Sequence, residues 1–328
     1  MLLSLFNAFE LGIIYAIMAL GVYLSFRVLD FPDLTVDGSF VTGSAVTAIA
    51  ITNGISPIIA SLLAAVFGFL VGCITGILHT KGKINALLSG ILMMIALYSI
   101  NLRILGKPTI SLLHETTLFD QLKSIWPERV DSLFNQMFLV MGIDRVPSTW
   151  GIILVMAIVT FIIKCLLDYF LTTEVGLALR ATGDNKRMIR SLAANTDTLI
   201  IMGIGLSNGL VAFSGALIAQ NDGFADAQMG IGMIIVGLAS VIIGEALFGT
   251  KSIARVTLAV VGGAIIYRIV VTMALRADFL EAGDMKLITA VLVIGALVAP
   301  KFMQARRETK RRLEKQAELN RKQAKEVS

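Results

Sequence analysis

Residues 57–79 read PIIASLLAAVFGFLVGCITGILH, without one Asp, Glu, Lys or Arg. A helix needs about 20 mostly apolar residues to cross the hydrocarbon core of a bilayer. The run is unbroken rather than alternating, so it is no strand of a membrane barrel. Inside lipid, only helices and closed barrels satisfy their backbone groups. This stretch therefore reads as a spanning helix, and the rest of the chain repeats its message. Of the 328 residues 56% are hydrophobic and 16% charged, against about 25% charged in an ordinary soluble domain. The mean hydropathy is +0.82, more apolar surface than one soluble core could hide. Apolar spans are expected at 8–26, 39–54, 57–79, 84–105, 149–172, 197–220, 229–248, 253–275 and 286–300. That is an all-α integral membrane protein of about nine transmembrane helices. Residues 1–300 form its membrane domain and 301–328 a basic tail.

Charge sets the orientation. The net charge is +5, but residues 301–328 hold ten Lys/Arg and four Glu, a net of +6, which leaves −1 for the first 300 residues. No basic groove for nucleic acid is present. Basic residues recur at Lys81 and Lys83, at Arg180, Lys186, Arg187 and Arg190, and at Lys251 and Arg255. By the positive-inside rule these turns and the tail face the cytoplasm. Segments 106–148, 221–228 and 276–285, with the short N-terminus, then lie outside. The 106–148 insertion mixes His114, Glu115, Asp120 and Trp126 with apolar residues. It reads as an amphipathic cap at the membrane surface, either a receptor-docking platform or a solvated linker. The N-terminus lacks a basic leader and a small-residue cleavage site, so the first span is expected to be retained. In the tail, Glu308 and Arg312, and Glu318 and Lys322, have helical i,i+4 spacing. Its basic face suits anionic membrane lipids or plain solvent.

Spans one to four and six to nine share one plan: a long helix, a short acidic break, a small-residue helix, then two more spans. The first break runs from Asp30 to Ser39 and the second from Asn221 to Asp226. Five spans separate equivalent helices, so the two four-helix repeats run in opposite directions. Inverted repeats with broken helices mark transporters, with solute near the repeat interface. Pro32 removes a donor and biases Phe31 away from helix. Asp37-Gly38-Ser39 offers N-cap chemistry for the helix that follows. Asp33, Asp37, Ser39, Asp222 and Asp226 are thus candidates to line a solute path, the alternative being ordinary capped turns. Arg268 lies inside the eighth span, where an ionisable group is expensive and defaults to function. It would pair with Asp222 or Asp226, attract a substrate carboxylate, or snorkel to the interface. Gly43-Ser44-Ala45 and Gly230-Ile231-Gly232 would let helices approach closely.

The most polar interruption is Glu174-Val175-Gly176-Leu177-Ala178-Leu179-Arg180-Ala181-Thr182-Gly183-Asp184-Asn185-Lys186-Arg187-Met188 and on to Thr196. Leu177, Leu179, Met188, Ile189 and Leu192 would give a short helix pair an apolar side, with a turn at Gly183-Asp184-Asn185. Such an element suits docking into a cleft of a soluble partner. The loop resembles the coupling region of ABC-importer permeases of the branched-chain amino acid and ribose/nucleoside family. Gly176, Leu179, Arg180, Ala181, Gly183, Asp184 and Asn185 carry the likeness, and Ala194 departs from a usual Gly. Residues 29–39, Ile243–Gly249, Tyr267-Arg268 and Lys286–Ala290 extend it to the subgroup labelled tryptophan/tyrosine or uncharacterised-substrate permeases. The resemblance implies a type II-like homodimeric permease. Each copy would dock a cytoplasmic ABC ATPase through Gly176, Leu179, Arg180, Ala181, Gly183, Asp184, Asn185 and Met188. An extracytoplasmic solute-binding lipoprotein would deliver solute in a bacterial cytoplasmic membrane.

This chain is expected to carry no cofactor; ATP and Mg would sit in the partner. Residues 244–252 only approach a phosphate-binding loop, because Thr250 displaces Lys251 and the stretch follows a span rather than a strand. No His or Cys pairing suggests a metal or catalytic site; Cys73 and Cys165 lie in apolar runs as small hydrophobes. The solute implied by the subgroup label is an aromatic amino acid or another amino-acid- or nucleoside-like molecule. The alternative is an ion-coupled secondary transporter, which has no need of a partner-docking loop.

Overall fold

In a computed structural model the apolar runs form helices joined by short turns. The structure describes residues 2–127, 149–191 and 194–274, with 131, 132, 135, 287, 290, 291, 294 and 295 in addition. The helices are α1 (Leu2–Tyr23), α2 (Thr35–Thr52), α3 (Pro57–Thr80), α4 (Ala86–Leu105), α5 (Leu118–Ile125), α6 (Gly151–Thr172), α7 (Glu174–Asp184), α8 (Lys186–Ser191), α9 (Thr196–Asp222), α10 (Met233–Phe248) and α11 (Ile253–Ala274). A π-helical turn, Leu24–Val28, extends α1. Two short strands, β1 (Thr109–Ser111) and β2 (Phe224–Asp226), pair antiparallel with Thr109 opposite Asp226.

Six helices are long and apolar enough to cross a membrane: Leu3–Val28, α3, α4, α6, α9 and α11. The chain is a multi-pass membrane protein. Two expected spans differ from these six. The segment α2 has the length, 18 residues, but carries Thr35, Ser39, Thr42, Ser44 and Thr47, all buried against protein. The helix α10 has 16 residues, about 24 Å at 1.5 Å per residue, too short to cross alone. The expected ninth span is described at five positions only, and the 276–285 segment and the tail lie outside the described residues.

The bundle is built around α9, which runs antiparallel to α1. Ser207 donates to the Gly21 carbonyl at 2.6 Å and Ser214 to that of Ile14 at 2.9 Å. These hydroxyls tie helix to helix where no water competes. The most extensive packing of α9 is against α3, and that of α1 is against α10 and α11 together with α9. Glycines make the central crossing possible. A Cβ at Gly43 would overlap the Ala212 carbonyl, and one at Gly68 would overlap the Ala212 side chain. The outer face of α3 is a stripe of exposed Ile58, Leu62, Val66 and Leu70. In a soluble protein it would be a liability; here it is the face for lipid.

The two ends of the bundle differ. One end holds the β1–β2 ladder and α5. A reciprocal capping box starts α5: the Thr117 hydroxyl accepts from the Asp120 amide, and Asp120 accepts from the Thr117 amide. The Thr117 hydroxyl also donates to the Asp120 carboxylate at 2.7 Å, which holds that carboxyl below its usual range. The other end gathers the basic turns. His79 meets Phe31 edge-on at 5.1 Å, Gly76 packs on Ile201, Gly183 packs on Val28, and Arg27 pairs with Glu245 just before turn 249–255. Turn 79–83, the α7–α8 segment and turn 249–255 therefore share one end, as the charge pattern requires.

Replacing Gly43 by Leu inserts a side chain where backbone lies, and core overpacking costs about 1–3 kcal/mol or more. Detergent-solubilised Gly43→Leu should melt well below wild type in fluorescence-detected size-exclusion chromatography; an unchanged profile would refute this crossing geometry.

Candidate functional site

The polar interruption folds as a helical hairpin. Thr173 accepts the Gly176 amide at 3.2 Å and starts α7. Asn185 interrupts the helix and accepts the Met188 amide at 3.1 Å to start α8. The apolar residues do not form one side, as the sequence pattern suggested. Leu179 is fully buried and Ile189 5% exposed, whereas Val175, Leu177 and Met188 are 42%, 51% and 48% exposed. Leu192 lies outside the described residues. The hairpin thus keeps one apolar face for the bundle and presents another outward. Arg180 and Ala181 are half-buried, and Asp184 and Asn185 are exposed at the tip. All eight residues singled out for coupling sit on this element.

The hairpin rests on the π-turn. A Cβ at Gly183 would overlap the Val28 carbonyl, so only glycine permits the contact. From the same turn, Arg27 reaches Glu245 near the end of α10, with Nε donating to Oε1 at 2.9 Å and Nη2 to Oε2 at 2.5 Å. This paired geometry is the strong form of an arginine–carboxylate contact.

Beyond the π-turn the chain breaks. Asp30 adopts φ 51°, a left-handed conformation that Asp tolerates. Asp33 is fully buried. One of its oxygens accepts the Thr35 amide at 2.9 Å, and the other accepts the Asn208 side chain at 2.6 Å. Ser39 donates to the same Asn208 at 2.6 Å. Asn101 extends the network, accepting from Thr42 at 2.9 Å and donating to the Gly38 carbonyl at 3.0 Å. Every oxygen of the Asp33 carboxylate is thereby engaged, which suits a buried charge.

Asp37 corrects the sequence expectation. It does not cap the helix that follows it; α2 already begins at Thr35, with Asp33 bonding its first amide. Instead Asp37 accepts the amides of Gly232 and Ile234, at 2.9 and 2.8 Å, at the start of α10. A carboxylate there complements the positive end of the helix dipole. The second break is also longer than residues 221–226. The helix α9 ends at Asp222, Gly223 turns with φ 76°, β2 follows, and turns lead to Gly232.

The remaining path candidates separate. Asp226 secures the strand pair, accepting from Thr109 at 2.5 Å and from the Gln228 amide at 2.7 Å. Asp222 faces a cavity of about 700 Å³ at the β-ladder end, bounded by α1, α5, α6 and α9. Arg268 is not among the residues that line it; its guanidinium is 5.1 Å from the Tyr15 ring centre. Sequence reading missed Asn208 and Asn101, each a lone amide in an apolar run. It also missed Lys164 and Asp168, an i,i+4 pair at 2.5 Å inside α6. The Asp168 carboxylate further accepts from Thr257 of α11 at 2.6 Å.

Long apolar helices, a half-length helix starting inside the bundle and an outward-facing helical hairpin define a membrane permease. The family model for the permease component of branched-chain amino acid transport systems matches residues 4–298, and the chain belongs to that family. It is 44% identical over 286 residues to the tyrosine transport system permease protein of Clostridioides difficile, covering 87% of this chain and 88% of the relative. An uncharacterized protein of Rickettsia prowazekii is 36% identical over 244 residues, covering 74% and 78%. The autoinducer 2 import system permease protein LsrC of Salmonella typhimurium matches a shorter stretch, 31% over 86 residues, 26% of this chain and 25% of the relative. No solved structure matches the chain. A family of transport permease components makes this chain a translocation subunit rather than an enzyme.

Lys164 and Asp168 have side chains only 10% and 17% exposed. Removing one member of such a pair strands the other, at about 3–5 kcal/mol, while an apolar replacement of both is close to neutral. Lys164→Met should therefore lower the melting temperature sharply, and Lys164→Met/Asp168→Leu should recover most of it. A double variant as unstable as the single would show that the pair itself holds α6.

Proposed function

We propose that this chain is the membrane subunit of an ATP-driven importer, with ATP and Mg bound by a separate cytoplasmic ABC ATPase that docks on α7–α8. The observation that carries the reading is the hairpin's second apolar face: Val175, Leu177 and Met188 stand exposed beside the charged tip of Asp184 and Arg187. An apolar patch rimmed by charge is the ordinary make-up of a protein interface. With the basic turns in the cytoplasm, the hairpin faces the ATPase, and the β-ladder end with α5 faces an extracytoplasmic solute-binding protein. Residues 1–300 are the permease domain, and the tail 301–328 lies in the cytoplasm, its basic face suited to anionic lipids or to solvent. Two copies share one path across a bacterial cytoplasmic membrane.

The opposed repeats are supported by packing. Each copy's first helix leans on the other copy's third: α9 on α3, and α1 on α11. With the segment beyond α11 as a ninth helix, the plan is two inverted four-helix units of a type II-like importer. The ion-gradient alternative gains nothing from the first acidic break. Asp33 is engaged by Thr35 and Asn208, and Asp37 by the start of α10. The solute is an aromatic amino acid, a reading drawn from the tyrosine transport permease at 44% identity.

The test is co-purification with the ATPase encoded beside it and stimulation of ATP hydrolysis in liposomes. Leu177→Glu/Met188→Glu should cut stimulation by at least about tenfold, the loss of roughly 1.4 kcal/mol of interface energy, with an unchanged melting temperature. Wild-type protein that neither binds nor stimulates the ATPase would make the ion-coupled carrier the leading reading.

A further inference from the structure

The half-length helix α10 is held at both ends by one short stretch of chain. At its start, Asp37 accepts the amides of Gly232 and Ile234 at 2.9 and 2.8 Å. In its last turn, Glu245 accepts from Arg27, with Nε donating to Oε1 at 2.9 Å and Nη2 to Oε2 at 2.5 Å. Ile234 and Glu245 are about 16 Å apart along the axis at 1.5 Å per residue. A helix fixed at two points so far apart follows the stretch that holds it as one body.

The same stretch carries the hairpin. Gly183 of α7 lies against the Val28 backbone, with no room for a Cβ between them. Leu179 of α7 is fully buried and shares one core cluster with Val28, Leu29 and Phe31. Close-packed contacts of this kind have low compressibility, so a displaced hairpin displaces the π-turn. From the π-turn to α10, the contact between Arg27 and Glu245 is the only hydrogen-bonded link among the described residues. Stability alone does not account for that link. Glu245 sits in the last turn of α10, where the negative end of the helix dipole disfavours a carboxylate. Its side chain is 11% exposed and that of Arg27 57%. A pair with one partner so exposed contributes little to folding. What it supplies is direction, because a forked contact fixes both the distance and the angle between its two elements.

We propose that Arg27 and Glu245 are the positioning pair that makes α10 move with the hairpin. Displacement of α7–α8 by the ATPase passes through the Val28 backbone to Arg27, and from Arg27 to α10. The route is a contiguous set of packed and hydrogen-bonded contacts. The inference rests on the ATPase-docking reading and adds how docking reaches the interior of the bundle. At the far end of α10 the motion arrives where Gly230 packs on the Asp37 carbonyl, again with no room for a Cβ. A shift of α10 therefore drives the irregular chain that precedes it against the first turn of α2.

The test follows α10 directly and needs no solute. Spin labels are placed at Leu247, exposed in the last turn of α10, and at Ile74, exposed on α3, in full-length permease with Cys73 and Cys165 replaced by Ala. Their separation is read by pulsed electron paramagnetic resonance in liposomes with the ATPase bound, before and after trapping with ATP and vanadate. With Arg27 and Glu245 intact the separation should change by about 2 Å or more, the scale of helix shifts in such switches. Arg27→Gln should lose most of that change while still binding the ATPase. Glu245→Gln, which keeps the shape and loses the charge, should do the same. Arg27→Lys, which keeps the charge and loses the fork, should fall between. An Arg27→Gln protein that folds, binds the ATPase and shifts α10 in full overturns the relay. If Arg27→Gln folds poorly, Glu245→Gln decides the same question; if neither folds, the pair is a structural clamp and the relay is overturned as well. An intact protein that engages the ATPase without moving α10 overturns the relay and leaves the importer standing. One that engages no ATPase overturns the importer reading itself.

Discussion

The fold depends on one part-buried carboxylate placed at a helix start. The first amides of any helix lack intrahelical partners, and in a membrane protein the lipid supplies none. The helix α10 begins inside the bundle, and Asp37 meets that need by accepting Gly232 and Ile234. Without it, residues 227–232 would be irregular backbone ending in bare donors. With it, a half-length helix is possible, and irregular chain reaches the interior where protein surrounds it. The far end of α10 is held by a second charge, Arg27 on Glu245. Both clamps come from one short region, the π-turn and the break after α1.

That placement makes the first break the junction of the molecule. The hairpin α7–α8 seats Gly183 on the Val28 backbone; one residue earlier in the chain, Arg27 grips α10; nine residues beyond Val28, Asp37 grips the other end of the same helix. Asp33, between them, is anchored to Asn208 at the centre of α9. Hairpin, half-helix and central helix therefore meet at one stretch of ten or so residues, and a displacement of any one bears on the other two. π-turns tend to occur where a helix serves function rather than span alone. Here the extra turn sets the direction in which Arg27 leaves α1.

Much of this was legible in the sequence, for reasons that are local. Helices whose lipid-facing side is apolar announce themselves by composition, and α3, α4, α6 and α11 fall within a few residues of the expected spans. The hairpin was legible because Gly, Asp and Asn break helices by their own backbone and side-chain chemistry. Where reading failed, the cause is that hydropathy does not say what a residue faces. The stretch behind α2 reads as a span, yet its hydroxyls point at protein. Asp37 reads as a cap for its own helix because capping rules are written along the chain, and its real partner is 195 residues away. Asn208 and Lys164 read as oddities until their partners, Asp33 and Asp168, are brought within bonding distance.

The charges sort themselves by the same logic. A buried ion pair with full hydrogen bonding is an architectural element: it fixes which helices lie together, and its presence says little about transport. Lys164 with Asp168 belongs to that class, Arg27 pairs with Glu245 from an exposed position, and Asp33 and Asp37, which sequence reasoning placed on the solute path, are engaged by amides rather than by cations. Arg268 and Asp222 stand apart: among the described residues neither belongs to an ion pair, and each is within electrostatic reach of the other. Keeping a charge in such a position is unfavourable for folding alone, and sequence position could not separate it from the architectural charges around it. The distinction rests on which donors and acceptors are already occupied, and it moves the candidate path away from the acidic first break toward the cavity bounded by α1, α5, α6 and α9.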